Sequence, residues 1–171
     1  IYRCNYFFEN VLPSYEDNAI VGNTTNIKHY IGEMYFFRAF MYFERLKSLG
    51  DFPIITKTYP NEREALIEIS KRAPRNEVAR FILSDLDKAI EMMQNIAPSG
   101  GKNRLSKDCA TLLKSRVALY EGSWLKNFKG TAFVPNGPGW PGANKDYNAN
   151  YSFKSGSIEK ESEFFFDEAI K

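Results

Sequence analysis

The sequence contains few histidine and cysteine residues, the residue types that metal and redox centres use most. Its 171 residues include one histidine, His29, and two cysteines, Cys4 and Cys109. Zinc sites take several His or Cys ligands at short, regular spacings, and a disulfide framework needs more than two cysteines. No metal and no cofactor is therefore expected, and the two cysteines are expected to be free, buried thiols.

An excess of charge of one sign and a long apolar run are also missing. The net charge is +2, which is too small to argue for nucleic-acid binding. A membrane-spanning helix needs about 20 mostly apolar residues, and charged side chains interrupt the most apolar stretch, residues 32–53. Neither a nucleic-acid partner nor a membrane span is expected.

The motifs of catalytic sites are absent too. No serine stands in a G-x-S-x-G turn, and Gly137, Gly139 and Gly142 alternate with prolines, which lack the backbone donors of a phosphate-binding loop. Glycoside hydrolysis needs two carboxyl groups that face each other across a cleft. The carboxylates of residues 159–168 instead follow one predicted helix. We therefore predict no catalytic residue and no enzymatic activity.

Aromatic residues, by contrast, make up 15% of the chain and are frequent in residues 32–53. At 100° per residue, the apolar side chains of this stretch point in almost every direction. A helix that is apolar nearly all round is surrounded by other helices. We expect a helix capped by Thr24 or Thr25 and ended by Gly50, with neighbours on several sides. The side chains that such neighbours must cover include Met34, Phe37 and Met41.

Other helices are predicted from the same periodicity, and no strand-rich region is visible. They cover residues 1–12 and 62–70 and begin again near residues 76, 107 and 158. Pro13 is expected to close the first, Asn61 with Glu64 to form a capping box, and Ser106 to act as an N-cap. The fold class is therefore all-α. Degenerate tetratricopeptide-like pairs are expected, the helix at residue 25 with that at 76, and the helix at 106 with that at 159.

Both ends of the chain lie within helical patterns, without the residues that usually stop a helix. Residues 1–171 are therefore expected to be a single, truncated part of a larger α-helical domain. Residues 130–157 interrupt it as an irregular loop insertion, because several Pro and Gly residues exclude regular helix there.

The insertion mixes aromatic and amide side chains. Sugar rings stack on aromatic faces, and amides satisfy sugar hydroxyls. We therefore predict that Trp140, Tyr147, Asn148 and Tyr151 bind a ligand. The same composition suits a loop that holds itself in place with its own aromatics, and this structural alternative is the more common outcome.

Arg38 is the charged residue that stands out in the long helix. It lies on an apolar sector, where an unpaired charge would be costly. One interpretation is a clamp for a ligand. The other, which we favour, is a buried guanidinium bonded to a neighbouring segment of the chain.

Four motifs, in order, resemble the SusD/RagB family of outer-membrane nutrient-binding lipoproteins. Residues 32–43 match its GE-x-x-F-x-RA-x-x-YF pattern, and residues 50–53 match the G-D-x-P that follows. A third match covers residues 75–89, and a fourth ends at Tyr120, with Ser115 in place of the usual alanine. The resemblance spans residues 32–122 and implies structural roles for Glu33, Arg38, Asp51 and Arg116.

The resemblance implies an α-helical scaffold on the outer surface of a Gram-negative bacterium. It would be held in the outer membrane by an N-terminal lipid that this chain does not contain. The resemblance also implies binding of oligosaccharides or peptides and delivery to a SusC-like TonB-dependent transporter, without catalysis. We therefore expect a glycan-binding surface lipoprotein. The alternative is a helical-repeat adaptor that binds peptides in a groove, which accounts for the helices but not for the aromatic loop.

Overall fold

The computed structural model describes residues 1–98 and 103–171, and these residues contain six α-helices and no strand. The all-α prediction is confirmed. The insertion at residues 130–157 holds two short 3₁₀ turns, Pro141–Asn144 and Asp146–Asn148. The helices are α1 (Tyr2–Glu16), α2 (Thr24–Leu49), α3 (Arg63–Ile69), α4 (Arg75–Met92), α5 (Lys107–Asn127) and α6 (Ile158–Ile170).

The four helices α2, α4, α5 and α6 pack side by side in chain order. The closest partnerships are α2 with α4 and α5 with α6, and α4 also packs against α5. Both predicted helix pairs are therefore confirmed. Their shared core is apolar and fully buried, and its larger members are Ile31, Tyr42, Leu46, Ile82, Leu86, Val117, Leu125 and Phe165.

Two glycines allow the paired helices to approach each other closely. A Cβ atom on Gly32 would lie 2.7 Å from Cγ of Met93, at the end of α4. A Cβ atom on Gly122 would lie 3.1 Å from the ring of Phe166 in α6. The first distance is too short for an unshifted Cβ, and the second would require Phe166 to move by a few tenths of an ångström, so glycine allows the close approach in both pairs.

The long helix has neighbours on several sides, as expected, but they do not cover all of the apolar side chains that they were expected to cover. The side chain of Phe37 is 45% exposed and that of Phe40 is 44% exposed, while Met34 and Met41 are half-buried. The packing partners of α2 are α4, α1 and a short stretch of α5. They leave one aromatic side of the helix uncovered, because the number of neighbours depends on the tertiary arrangement and not on the helix's own pattern.

Several predicted helix ends differ from the structure. Pro13 does not close α1, which continues to Glu16, because a proline in the last turn removes only one backbone donor. The N-cap of α2 is Asn23 and neither threonine; its side chain accepts a hydrogen bond from the Asn26 backbone N–H at 3.0 Å. The predicted C-terminal end of α2 is confirmed, since Gly50 caps the helix with a positive φ of 67°.

Of the other two predicted caps, one is absent and one is at the predicted residue. The helix α3 has Glu62 as its N-cap without a side-chain hydrogen bond, so Asn61 and Glu64 form no capping box there. Ser106 is the N-cap residue of α5, as predicted, but its hydroxyl donates to Sγ of Cys109 at 3.6 Å and accepts no hydrogen bond from the helix backbone. Local patterns therefore located both helices while misidentifying the groups that satisfy their ends.

Both cysteines are free thiols, as predicted. Cys4 is buried, and its burial raises the pKa of the thiol, whereas Cys109 is half-buried. Within residues 1–98 and 103–171, no helix combines the length and the apolarity needed to cross a membrane.

Candidate functional site

The insertion between α5 and α6 is tied to the helical scaffold by its aromatic side chains. The indole Nε1–H of Trp140 donates to Asp51 Oδ2 at 2.7 Å, and the hydroxyl of Tyr151 donates to Asn76 Oδ1 at 2.7 Å. The rings of Trp140 and Tyr151 also contact each other, with centroids 5.7 Å apart. The insertion is therefore an ordered cover over one end of the scaffold.

Asp51 joins this cover to the start of α4. It follows the glycine that ends α2, and its Oδ1 accepts the backbone N–H of Arg75 at 2.9 Å, which satisfies one of the free donors of that helix end. Burial raises the pKa of the Asp51 carboxyl, and the hydrogen bonds from Trp140 and Arg75 oppose that rise. Both carboxylate oxygens thus have partners within the protein.

A second anchor is the buried carboxylate of Glu161 in α6. It accepts hydrogen bonds from Nε and Nη2 of Arg80 at 2.6 and 2.8 Å, from Asn76 Nδ2 at 2.9 Å, and from the Ser155 backbone N–H at 3.1 Å. Burial alone would raise its pKa, but these donors lower the pKa of Glu161 to about 2. One side chain therefore joins α4, α6 and the end of the insertion.

Between the insertion and the scaffold lies a cavity of about 660 Å³, which we call the loop cavity. A smaller depression of about 520 Å³, the side cavity, adjoins it through the shared residues Arg72, Tyr147 and Asn148. The described residues that line the loop cavity are Lys47, Ser48, Leu49, Gly50, Asp51, Ser70, Arg72, Arg75, Trp124, Ala132, Phe133, Trp140, Pro141, Gly142, Lys145, Tyr147 and Asn148.

All four predicted ligand-binding residues lie at these cavities, but they differ in what they offer. The ring of Tyr147 is 44% exposed, and Asn148 is half-buried with its Nδ2 donating to the Gly142 carbonyl at 3.2 Å. Trp140 is only 3% exposed, because Gly142 packs on its indole. Tyr151 has its hydroxyl bonded to the scaffold. Tyr147 and Asn148 therefore face the cavity, while Trp140 and Tyr151 form its wall.

Other lining residues were not identified from the sequence. Phe133 is 63% exposed at the loop cavity, and Trp124, from α5, is half-buried there. Arg72 comes from the segment before α4, and Lys145 from the insertion itself. Phe133 lies in the insertion of residues 130–157, whose aromatic and amide composition the sequence shows. Nothing in the local sequence pattern marks Arg72 or Lys145 as site residues.

The residues with predicted structural roles are spread over the scaffold. Arg38 is buried, and its Nε and Nη2 donate to the two oxygens of Asp85 at 2.7 and 2.8 Å. Its Nη1 donates to Asn5 Oδ1 at 3.0 Å. Glu33 accepts a hydrogen bond from Nε of Arg104 at 3.0 Å. Arg116 is exposed and has no hydrogen bond or ion pair with the described residues.

Comparisons with a family model, with a curated protein and with solved structures all give SusD-like proteins. The family model for SusD-like proteins, described as starch-binding and associating with the outer membrane, matches residues 1–119. A SusD-like protein of Formosa agariphila is 23% identical over 124 residues, which is 72% of this chain and 23% of that protein.

Solved structures show the same similarity. A SusD-like protein of Bacteroides fragilis aligns with a TM-score of 0.59 and 30% identity, covering 88% of this chain and 25% of the other. A laminarin-binding SusD-like protein aligns with a TM-score of 0.57 and 26% identity, covering 71% of this chain and 24% of the other. The chain thus spans about a quarter of the length of the relatives that it matches.

Proposed function

The chain belongs to the SusD-like family, and on that premise we propose that it captures oligosaccharides at the loop cavity. The whole protein then passes them to a SusC-like TonB-dependent transporter in the outer membrane, on the outward-facing side. The fold is the all-α scaffold of helix pairs that the family shares. Starch and laminarin are named for the family and for one relative, respectively, and carbohydrate is therefore the class of ligand that we propose.

The observation that carries this proposal is the combination of ring faces and amide groups in one cavity. Tyr147 and Phe133 expose aromatic faces to the loop cavity, and Asn148 adds an amide group beside them. Aromatic faces accept the apolar side of a sugar ring, while an amide bonds its hydroxyls. The volume of about 660 Å³ lies within the range of about 300–1,000 Å³ typical of small-ligand sites.

We propose binding without bond cleavage. Among the described residues that line the loop cavity, Asp51 is the one carboxylate, and the indole of Trp140 and the backbone N–H of Arg75 already occupy its oxygens. A glycoside hydrolase needs two carboxyl groups positioned for acid, base or nucleophile roles. The helix pairs that suggested a peptide-binding adaptor are equally those of the SusD-like relatives, so they no longer favour that alternative.

The ligand-binding part of the proposal is tested by calorimetric titration of the chain with a panel of neutral and anionic oligosaccharides. The substitution Tyr147→Ala should weaken binding about two- to twelvefold, because one aromatic contact contributes roughly 0.5–1.5 kcal/mol. The matched control is Tyr6→Ala, which removes an exposed tyrosine of α1 away from both cavities. Equal losses in the two variants, or no loss in Tyr147→Ala, would contradict the assignment.

The partner is tested separately with the whole protein in its native membrane. After mild crosslinking and affinity purification, a TonB-dependent transporter should co-purify with it in comparable amount. If the protein is recovered alone from crosslinked membranes, the delivery step is wrong, whatever the titration shows.

A further inference from the structure

We infer that the loop cavity selects anionic oligosaccharides, carrying uronate carboxylates or sulfate esters, over neutral ones. This inference rests on the proposed function, since it names the class of glycan for the same site. It starts from the charges around the cavity. Four cationic side chains, Lys47, Arg72, Arg75 and Lys145, line it together with one carboxylate, Asp51.

Not all four cations are available to a ligand. Arg75 is buried, is bonded through Nε and Nη2 to Glu121 at 3.0 and 2.9 Å, and lies 4.0 Å over the ring of Trp124. Lys47 forms an exposed ion pair with Glu44. Arg72 and Lys145 are both exposed and make no ion pair with any residue in the described part of the chain. These two cations are therefore the ones that a bound anion can neutralise.

The carboxylate at the cavity offsets these two positive charges only in part, because it forms no direct ion pair with either of them within the described residues. Asp51 is held by Trp140 and by the start of α4, so it cannot turn towards Arg72 or Lys145 without leaving two donors unsatisfied. The charge of Arg72 is among the influences that oppose the raised pKa of Asp51, so the two side chains interact at a distance and a net positive charge remains once Lys145 is counted.

Arg72 and Tyr147, the ring proposed to bind sugar, line the same two cavities. The backbone N–H of Arg72 lies 3.4 Å from the hydroxyl of Tyr147, and both residues line the loop cavity and the side cavity. A sugar placed on the Tyr147 ring would therefore lie in a cavity that the exposed Arg72 side chain also lines. A guanidinium binds carboxylate and sulfate-type oxygens through two parallel N–H donors, and so recognises the group by shape as well as by charge.

Anionic oligosaccharides are a different class of ligand from the glycans that are named for the family and for one relative. Starch and laminarin are neutral glucans, and neither would supply a counter-charge to Arg72 and Lys145. Hydrogen bonds to charged donors are stronger than those between neutral groups. An anionic glycan of equal length should therefore gain affinity from the same pair of side chains, and the gain should shrink as salt is added.

The test compares tetrasaccharides of matched length by calorimetric titration of the chain at low and at high salt. The probes are tetragalacturonate for carboxylates, a sulfated carrageenan tetrasaccharide for sulfate esters, and maltotetraose and laminaritetraose as neutral sugars. The variant Arg72→Gln/Lys145→Gln removes both charges. Lys160→Gln is the matched control, because Lys160 is an exposed lysine of α6 outside both cavities.

We expect at least one anionic probe to bind more tightly than both neutral probes. The double variant should lose about two- to twenty-fivefold of that affinity, since each exposed ion pair changes a Kd by a factor of roughly 1.5 to 5. It should lose less affinity for the neutral probes than for that anionic probe, and Lys160→Gln should behave like the parent chain. The anionic probe that responds identifies carboxylate or sulfate as the group recognised.

The inference is overturned if neutral probes bind as tightly as anionic ones, or if Lys160→Gln loses as much affinity as the double variant. In both cases oligosaccharide binding itself survives. If no tetrasaccharide binds at any salt concentration, the proposed function fails and the inference fails with it. Thermal unfolding of each variant, followed by circular dichroism, establishes that the surface substitutions leave the fold intact.

Discussion

The buried carboxylate of Glu161 allows the sharpest test of how the insertion is held. Replacing it by glutamine keeps its size, removes the charge and turns one of its two acceptor oxygens into a donor, although all of its partners are themselves donors. Arg80 would lose its ionic partner, and the Ser155 N–H, at the end of the insertion, would lose a charged acceptor. The substitution therefore weakens the contact among α4, α6 and the insertion without leaving a cavity.

The loss of unfolding free energy in Glu161→Gln can be worked out in two ways. The pKa of Glu161 falls from its ordinary value of 4.5 to about 2, and a lowering of that size corresponds to about 3 kcal/mol of folding free energy at neutral pH. Removing one partner of a buried ion pair typically costs about 3–5 kcal/mol. The Arg80 side chain keeps 19% exposure, so solvent compensates part of the loss. We expect Glu161→Gln to destabilise the chain by about 3 kcal/mol.

The pH dependence follows from the direction of the shift. A carboxyl whose pKa is lower in the folded state stabilises the fold above its unfolded pKa, and this stabilisation is lost as the pH falls through its folded pKa. For Glu161 the window runs from pH 4.5 down to about 2. Urea unfolding of both proteins, followed by far-ultraviolet circular dichroism, should give a difference at pH 3 that is less than half its value at pH 7.

Glu159→Gln is the matched control. Glu159 lies on the same helix, and its pKa is also lowered to about 2, mainly by the ion pair with Lys129. That pair is solvent-exposed, so its removal should have little effect on the free energy of unfolding. Equal unfolding energies for Glu161→Gln and the parent chain at pH 7, or a difference between them that persists unchanged at pH 3, would refute the reasoning.

Two further substitutions test the scaffold and the cavity wall. Arg38→Met leaves the buried carboxylate of Asp85 without its two donors and should cost about 3–5 kcal/mol in urea unfolding. Adding Asp85→Leu should recover part of that loss, and a double variant no more stable than Arg38→Met would contradict this. Gly142→Ala places a Cβ atom 2.2 Å from Cζ2 of Trp140, so the indole must move, at a cost of roughly 1–3 kcal/mol. An unchanged near-ultraviolet circular dichroism spectrum for Gly142→Ala would show that the wall does not depend on this packing.

The helices were largely predictable because their signals are local. Apolar periodicity locates α4 and α6, and Gly50 ends α2 where the sequence suggests. The capping residues were less predictable. Several polar side chains near a helix end can reach a free N–H, and the approach of the neighbouring segment selects among them. Pro13 was misjudged for a related reason, since one lost donor in the last turn is too small a cost to end α1.

The candidate site was only partly predictable. Tyr147 and Asn148 were found because an aromatic and amide-rich insertion is itself a local feature. Arg72 was not found, because it meets Tyr147 across 75 positions of sequence. The burial of Trp140 was not visible either, since it depends on Gly142 folding back over the ring and on a carboxylate at the far end of α2.

The sequence by itself determined the all-α class, the order of the helices, the irregular insertion and the resemblance to the SusD/RagB family. These depend on spacing and residue type within short stretches. Only the tertiary structure decided that Phe37 remains exposed and that Arg72 and Lys145 meet at one cavity. Burial and ion pairing depend on which distant segments come into contact, and no local pattern contains that information.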